Sequence, residues 1–494
     1  MIKICFLILF FTAPLLNAQV VRVGTKNFVE GYILGEIIAQ ILEGHESIHV
    51  ERKFGLGGTG IVYQALINDE IDLYIDYSGT LSESILKKAN LKDLNDLRLE
   101  LERKEGLTIS EPLGFNNTYA LAIRKQFAIE NGLTTISDLS KIKTNPKYAF
   151  TYEFMSRADG FNGLVKAYNL PLKKSAVKSM EHSLLYTAIE NKSADIIEVY
   201  STDAKIKTLD LVVLEDDKGF FPEYEALIVT SQKFAKRYPQ IWSALKSKLE
   251  GTISEEEMRT LNEYADIEKI SVPNVVKKYF NTETDEDSSD LQSRILKRTK
   301  EHLVLVGISL LFAIVFGIPL GILADRSRVL GHSILFLSGI VQTIPSLALL
   351  CFLIPVFGIG IKPALIALFL YSLFPIIVNT FTGLRTIDPS YIESAHSLGL
   401  TSFEKLVYIQ LPLVSPYILS GVKTSAIISI GTATLAALIG AGGYGAPIVS
   451  GLALNDNATI LIGAIPAAIM ALAMHLIFDL LKFLVIPKGL RTSK

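Results

Sequence analysis

Few residue patterns in this chain suggest chemistry of their own. The two cysteines, Cys5 and Cys351, lie in separate apolar segments, so they form neither a disulfide framework nor a cysteine-based metal site. The run from Gly55 to Gly60 matches the dinucleotide pattern G-x-G-x-x-G, and Asp76 follows about 20 residues on. In a glycine-rich chain this short pattern is weak evidence, and a turn that begins a helix explains it better. We therefore predict no catalytic residue, no metal site and no cofactor.

A polar stretch within the apolar C-terminal third has the character of a docking surface. A helix from about Pro389 to Leu398 is expected to end at Gly399, because glycine readily adopts the left-handed C-cap conformation. A second short helix is expected to run to Leu411, with Pro412 opening the next apolar segment. Such a bent pair of surface helices fits a groove on a cytoplasmic partner. The alternative is an ordinary amphipathic loop between membrane spans.

Composition divides the 494 residues into a soluble and a membrane part. Residues 301–494 hold only 17 of the chain's 98 Asp, Glu, Lys and Arg residues. The net charge of -2 provides no basic surface, so we predict no nucleic-acid partner. Lys3, the apolar run that follows it and Ala18 predict a signal peptide over residues 1–18, with an uncleaved anchor as the alternative.

The membrane part, residues 301–494, contains five apolar stretches long enough to cross a bilayer: 303–324, 333–357, 363–384, 413–440 and 458–484. Basic residues follow the first and third stretches and close the chain, so these ends are expected in the cytoplasm. The N-terminal domain is then outside the cytoplasm. Ala441 to Gly445 is either a flexible gate or a site of tight helix packing.

Residues 19–280 alternate between strand and helix patterns, which predicts an α/β fold with helices on both faces of its sheets. Thr118–Arg124 and Tyr224–Thr230 are the natural crossing strands between two lobes, so we expect a clamshell with the ligand in its cleft. Residues 281–300, which begin with a polar acidic run, are predicted to be a linker.

Several local motifs of residues 20–280 resemble the quaternary-amine binding proteins of osmoprotectant ABC importers. They are Val23–Phe28, Asp72–Thr80, Phe115–Tyr119, Arg157–Gly160, Tyr200–Asp203 and Phe220–Tyr224. Residues 302–491 resemble the permease of the same systems, with Gln342–Leu347 and Ile430–Gly443 as the clearest runs. The resemblance implies a periplasmic-binding-protein (clamshell) domain fused to an all-α, five-span permease.

The resemblance also implies the site residues. The family's aromatic box corresponds to Tyr77, Tyr119, Tyr200 and Tyr224, and its carboxylate-holding residues correspond to Lys26, Thr80 and Arg157. Ring faces hold a trimethylammonium group by cation–π attraction, since that group has no N–H to donate. The two basic residues favour a small quaternary-amine zwitterion, and we expect glycine betaine, with carnitine, choline or ergothioneine as alternatives.

The polar stretch resembles the permease loop that couples to the motor subunit, through Glu393, Ala395, Gly399, Ile409, Leu411 and Pro412. No Walker A sequence occurs, so ATP hydrolysis is expected from a separate cytoplasmic ABC ATPase. We predict a transporter subunit of the cytoplasmic (inner) membrane that pairs with a second permease copy as a homodimer. The rivals are a membrane-anchored ligand-sensing receptor and a clamshell enzyme that dehydrates small acids.

Overall fold

The computed structural model describes residues 19–45, 47–88, 91, 93–142, 145–282, 291–454 and 456–490. The predicted signal peptide lies outside these residues, as do residues 283–290 of the predicted linker. Two five-stranded sheets come first, and a bundle of long helices follows.

Lobe one is built on a mixed sheet of strand order β2-β1-β3-β10-β4, in which only β10 runs against its neighbours. Its central strand β3 is buried at every residue, because helices cover both faces of the sheet. The strands are β1 (Gln19–Gly24), β2 (Ile48–Lys53), β3 (Leu73–Tyr77), β4 (Leu107–Ile109) and β10 (Ala226–Ser231). The helices are α1 (Val29–Glu43), α2 (Thr59–Ile67), α3 (Ser78–Thr80), α4 (Leu94–Glu105), α10 (Gln232–Arg237), α11 (Pro239–Leu249), α12 (Glu255–Asp266) and α13 (Val272–Tyr279).

Lobe two repeats this plan with strand order β7-β6-β8-β5-β9, where β5 is the antiparallel strand. Its strands are β5 (Tyr119–Arg124), β6 (Tyr148–Thr151), β7 (Val177–Met180), β8 (Ile196–Tyr200) and β9 (Leu211–Leu214). Its helices are α5 (Lys125–Asn131), α6 (Tyr152–Ser156), α7 (Phe161–Tyr168), α8 (His182–Glu190) and α9 (Lys205–Thr208).

The chain crosses between the lobes twice, just before β5 and just before β10, as the sequence predicts. The two crossings run side by side, because Asn116 and Glu225 form an antiparallel bridge. The architecture of residues 19–280 is therefore a two-lobed clamshell with a double hinge.

The described residues of the membrane part form helices joined by short connections, with no strand among them. It contains α14 (Leu291–Arg326), α15 (Arg328–Thr343), α16 (Ser346–Phe357), α17 (Ile361–Arg385), α18 (Pro389–Ser397), α19 (Ser402–Lys405), α20 (Leu411–Ala433), α21 (Gly445–Ala453) and α22 (Asn457–Val485). Small residues let these helices approach closely: a Cβ on Gly321 of α14 would lie 2.6 Å from the Thr380 Cβ of α17. Residues 291–300, which the sequence assigned to the linker, form the first turns of α14.

Four helical segments are long and apolar enough to cross a membrane, and a fifth span requires counting α15 and α16 as one. The sequence expected one continuous span over 333–357, but these two helices meet at an angle of 99°. The break falls at Ile344 and Pro345, because proline disfavours helical backbone in the residue before it and has no N–H to donate. The count of five spans stays a prediction.

Candidate ligand-binding site

A cavity of about 330 Å³ lies between the lobes and opens toward the membrane part. Six of the seven residues predicted to bind the ligand line it: Lys26, Tyr77, Thr80, Tyr119, Tyr200 and Tyr224. Two lobes contribute them, since Tyr77 ends β3 of lobe one and Tyr200 ends β8 of lobe two. The seventh residue, Arg157, is buried behind this wall and does not line the cavity.

The aromatic residues form a continuous series of rings, the cage. Tyr119 lies at its centre, with its ring centroid 5.3 Å from that of Tyr200 and 5.4 Å from that of Tyr224. Phe28 joins the two lobes, because its centroid lies 5.8 Å from Tyr200 and 6.4 Å from Tyr77. These separations are typical of aromatic pairs, and together the rings offer an electron-rich wall to a methylated cation. Sequence reasoning did not assign Phe28, although it ends the motif Val23–Phe28.

The two basic residues of the predicted carboxylate site already have carboxylate partners. Lys26 Nζ donates to Asp76 Oδ1 at 2.5 Å, and both side chains are buried. Arg157 binds Asp159 in a bidentate manner, with Nε to Oδ1 at 2.8 Å and Nη2 to Oδ2 at 2.5 Å. The Arg157 guanidinium carbon also lies 5.4 Å from the ring centroid of Tyr119, so it supports the cage from behind. Each positive charge is thus balanced by the protein itself.

Glu30, in the first turn of α1, is a buried hub beneath the cage. Its Oε1 accepts hydrogen bonds from the Tyr77 hydroxyl at 2.5 Å and from Asn117 Nδ2 at 2.8 Å. Its Oε2 accepts from the Thr202 hydroxyl at 2.6 Å and from Asn262 Nδ2 at 3.0 Å. Burial raises the pKa of Glu30, and these four bonds oppose that shift. The carboxylate thereby ties a cage ring to the hinge, to lobe two and to α12.

His182 stacks on the cage ring of Tyr200 and lines the same cavity. Its ring lies 4.3 Å from that of Tyr200, at an angle of 28°. His182 Nε2 lies 3.0 Å from Asp203 Oδ2, whereas its buried Nδ1 has no hydrogen-bond partner in the residues described. Burial opposes a charged imidazole, but the neighbouring Asp203 carboxylate outweighs it and raises the pKa of His182. Asp203 also accepts the Tyr186 hydroxyl at 2.5 Å, which holds the carboxylate in place.

A direct bond joins the lobes at the cavity's edge. Glu153, at the start of α6, accepts a hydrogen bond from the Thr59 hydroxyl of α2 at 2.7 Å. Thr59 belongs to the glycine-rich run that resembles a dinucleotide motif, and Gly57 and Gly58 of that run line the cavity. The run is therefore a helix-starting turn that faces the cleft, and the lobes are closed around the cavity.

Membrane helices complete the cavity wall. Leu347 and Cys351 of α16 and Leu438, just before Gly440, line it together with the cage. Lobe one rests closely on this surface: a Cβ added to Gly440, whose φ is +78°, would lie 2.8 Å from Leu56 Cδ2. The cleft therefore opens onto the helices rather than only onto solvent.

The predicted coupling loop has the expected first helix. α18 ends before Gly399, which has a φ of +73° and donates its N–H to His396 O at 2.9 Å. The second short helix differs from expectation, because α19 continues through a π-helical turn, Leu406–Gln410, directly into α20. Glu393 and Gly399 are exposed, Ala395 is buried, and Ile409, Leu411 and Pro412 are half-buried. Large apolar side chains nearby are also exposed: Tyr391, Leu398, Phe403 and Tyr408.

Comparison with known families matches the two parts separately. Residues 19–282 match the family described as the substrate-binding domain of the ABC-type glycine betaine transport system. The chain belongs to this family. Residues 317–489 match the binding-protein-dependent transport system inner membrane component. The glycine betaine-type binding domain and the permease domain thus occur on one chain, in an inner-membrane protein.

Three relatives illustrate the range of this family. The ergothioneine transport permease/ergothioneine-binding protein of Helicobacter pylori is 40% identical over 261 residues, which are 52% of this chain and 46% of that protein. The chain therefore spans about half the length of that relative. The carnitine transport binding protein of Listeria monocytogenes is 32% identical over 53% of this chain and 86% of its own length. A glycine betaine/carnitine/choline permease of Bacillus subtilis is 39% identical over 40% of this chain and 92% of its own length.

Proposed function

We propose that this chain is the binding and permease subunit of an ABC importer for a trimethylammonium solute. The cage holds the methylated cation, and the membrane helices conduct the solute into the cytoplasm. One observation carries the proposal: the same cavity is lined by the cage and by Leu347, Cys351 and Leu438 of the membrane part. A ligand released by opening of the lobes would then leave directly against the permease helices.

The aromatic rings can supply a large part of the binding free energy that such a ligand requires. A desolvated ring contributes about 1 to 2 kcal/mol to holding a methylated cation. Four tyrosine rings therefore supply several of the roughly 8 kcal/mol that micromolar binding requires. Thr80 and Lys26 line the cavity as proposed contacts for a polar group of the solute, and we assign Arg157 a supporting role beside the rings of Tyr119 and Tyr224.

The rest of the importer is proposed from the permease family. The loop with Glu393 and Gly399 would dock on a separate cytoplasmic ATPase, and the exposed Leu398 and Phe403 offer apolar contacts for it. Two copies of the chain would share two ATPases. Among solutes, glycine betaine, carnitine, choline and ergothioneine all carry the required trimethylammonium group.

The test is uptake by the full chain together with its cognate ATPase in vesicles. We expect ATP-dependent uptake of at least one of these four labelled solutes, and loss of uptake but not of binding in Glu393→Ala. Binding without ATP-dependent uptake would instead indicate a ligand-sensing receptor. Failure of all four solutes to bind the purified full chain would refute the proposed cage.

A further inference from the structure

One segment of the membrane part lies between the ligand cavity and the helical bundle. Residues 435–444, the outer segment, begin with a 3-10 helix and end in the glycine-rich run before α21. Leu438 lines the ligand cavity, and Leu56 of lobe one covers Gly440. Ile439 is fully buried in the apolar cluster to which α17 contributes. The outer segment is therefore among the first parts of the membrane domain that a solute leaving the cavity would contact.

A carboxylate of α14 holds the outer segment. Glu301 Oε2 accepts hydrogen bonds from the Gly443 N–H at 2.9 Å and from Arg298 Nη1 at 2.9 Å. A Cβ added to Gly442 would lie 2.7 Å from the same oxygen, so the backbone fits closely around it. Gly442 and Gly443 have φ values of +78° and +73°, which glycine adopts without strain. We call this contact between Glu301 and Gly443 the clasp.

His302, the next residue of α14, holds the end of the outer segment. The fully buried His302 accepts the Tyr444 N–H at Nδ1, 3.3 Å away, and its Nε2 lies 3.1 Å from Ile430 O of α20. The Tyr444 hydroxyl lies 2.6 Å from Thr299 Oγ1. Three glycines among residues 440–443 make this backbone costly to order, because glycine loses the most conformational freedom on folding. The contacts with α14 offset that cost, so the segment depends on them for its position.

We propose that Glu301 is a positioning residue that keeps the outer segment closed as a gate between the ligand cavity and the transport path. The inference rests on the proposed function and adds to it the group that controls passage. Once the Gly443 N–H leaves the carboxylate, the glycine-rich run is free to bend, and Leu438 can withdraw from the cavity. The sequence left residues 441–445 as either a gate or a site of tight packing. The clasp accounts for both, because the run packs on α14 when closed and bends when released.

The opposite end of α21 provides a route from the lobes to the clasp. α21 begins at Gly445, directly after the outer segment. Its Leu452 and Ala453 border a second cavity of about 30 Å³, together with His182 of α8 in lobe two. His182 also stacks on the cage ring of Tyr200. A movement of lobe two relative to α21 therefore acts on the helix that continues from the clasp.

The test measures how readily the outer segment opens in the purified full chain. Leu438→Cys, made in a Cys351→Ser chain, reports opening as its rate of reaction with a maleimide, and Cys351→Ser alone gives the background. Adding Glu301→Ala should raise this rate on the order of tenfold, because a hydrogen bond to a charged group is lost. Glu301→Gln keeps an acceptor for the Gly443 N–H, so its rate should stay within about threefold of that of the parent chain.

Further variants separate the clasp from general stability. Asp325→Ala is the matched control, because it removes the ion pair with Arg385 at the opposite end of α14 and should leave the labelling rate unchanged. With the cognate ATPase in vesicles, Glu301→Ala should hydrolyse ATP severalfold faster than wild type in the absence of solute, whereas a merely destabilised protein would hydrolyse it more slowly. Gly443→Ala disrupts the clasp from the other side, since its Cβ would lie 2.9 Å from His302 Nδ1. It should act like Glu301→Ala, and it provides the test if Glu301→Ala fails to fold.

The outcomes distinguish the gate from the proposed function. Unchanged labelling in folded Glu301→Ala or Gly443→Ala overturns this inference and leaves the proposed function intact. Faster labelling without faster basal ATP hydrolysis also overturns it, because the segment would then move without gating. Equal acceleration by Asp325→Ala would indicate general loosening and overturns it as well. If the wild-type chain takes up none of the four solutes, the proposed function fails, and the labelling then still decides whether the clasp holds the outer segment.

Discussion

Tyr77 allows the contribution of its ring to be separated from that of its hydroxyl. Tyr77 lines the cavity, and its hydroxyl donates at 2.5 Å to Glu30, which does not line it. Tyr77→Ala removes the ring and with it about 1 to 2 kcal/mol of cation–π attraction, which corresponds to a five- to thirtyfold weaker binding of choline. Tyr77→Phe keeps the ring, so its affinity should change less than about threefold.

Although Tyr77→Phe should bind choline almost normally, we expect it to lower the folding stability of the protein. Tyr77→Phe deletes one bond to a buried carboxylate, which costs about 1.5 to 3 kcal/mol of folding stability. Glu30 retains the bond from Asn117 at the same oxygen, so the loss should stay within that range. Calorimetry on the full chain gives the affinity, and thermal unfolding without ligand gives the stability. Equal loss of affinity in the Phe and Ala variants would show that the hydroxyl contacts the ligand and would refute this division of roles.

Three further predictions concern other parts of the chain. Saturating choline should slow the reaction of Cys351 with a maleimide severalfold, because Cys351 lines the ligand cavity. The variant Cys351→Ser controls for reaction at other thiols. An unchanged reaction rate would place the ligand elsewhere. Gly399→Ala should abolish uptake while leaving the affinity for choline unchanged. A side chain at a φ of +73° costs about 1 kcal/mol and distorts the loop that is proposed to contact the ATPase. Normal uptake by this variant would argue against that contact. Burial raises the pKa of Glu198 from 4.5 to about 7, so the folded protein binds this proton more tightly than the unfolded chain. Stability should therefore fall by up to about 3 kcal/mol as the pH rises from about 4.5 to 7, and Glu198→Gln should flatten the melting temperature over that window.

Much of the clamshell is predictable from sequence because its central strands are buried on both faces. The patterns at Val21–Val23, Ile48–Phe54, Ile71–Asp76, Tyr148–Glu153 and Ile196–Tyr200 predict strands, and β1, β2, β3, β6 and β8 lie there. The sequence analysis missed three strands, β4, β7 and β9, and each of them lies at a sheet edge. These strands have three or four residues, too few to show a clear alternation. Edge position and short length remove the periodic signal on which such predictions depend.

The candidate site was predictable only where local motifs carry it. Each cage tyrosine lies in a recognisable motif, whereas the sequence around Glu30 predicts only an ordinary solvent-facing residue of an amphipathic helix. Its partners Thr202 and Asn262 lie 172 and 232 positions away, so only the fold brings them together. The same holds for the neutralisation of Lys26 by Asp76, 50 positions apart, which changes the expected chemistry of the pocket.

The two lobes of the clamshell contact the membrane part differently, and we infer different roles for them. Lobe one shares a continuous buried apolar cluster with the membrane helices, including Leu56 and Ile439. Lobe two meets these helices mainly where α8 approaches α21, and the small cavity between them leaves that contact incomplete. Separating buried apolar surfaces costs free energy in proportion to their area. We therefore expect lobe one to stay on the permease while lobe two swings, so that opening breaks the Thr59–Glu153 bond and moves α8 relative to α21.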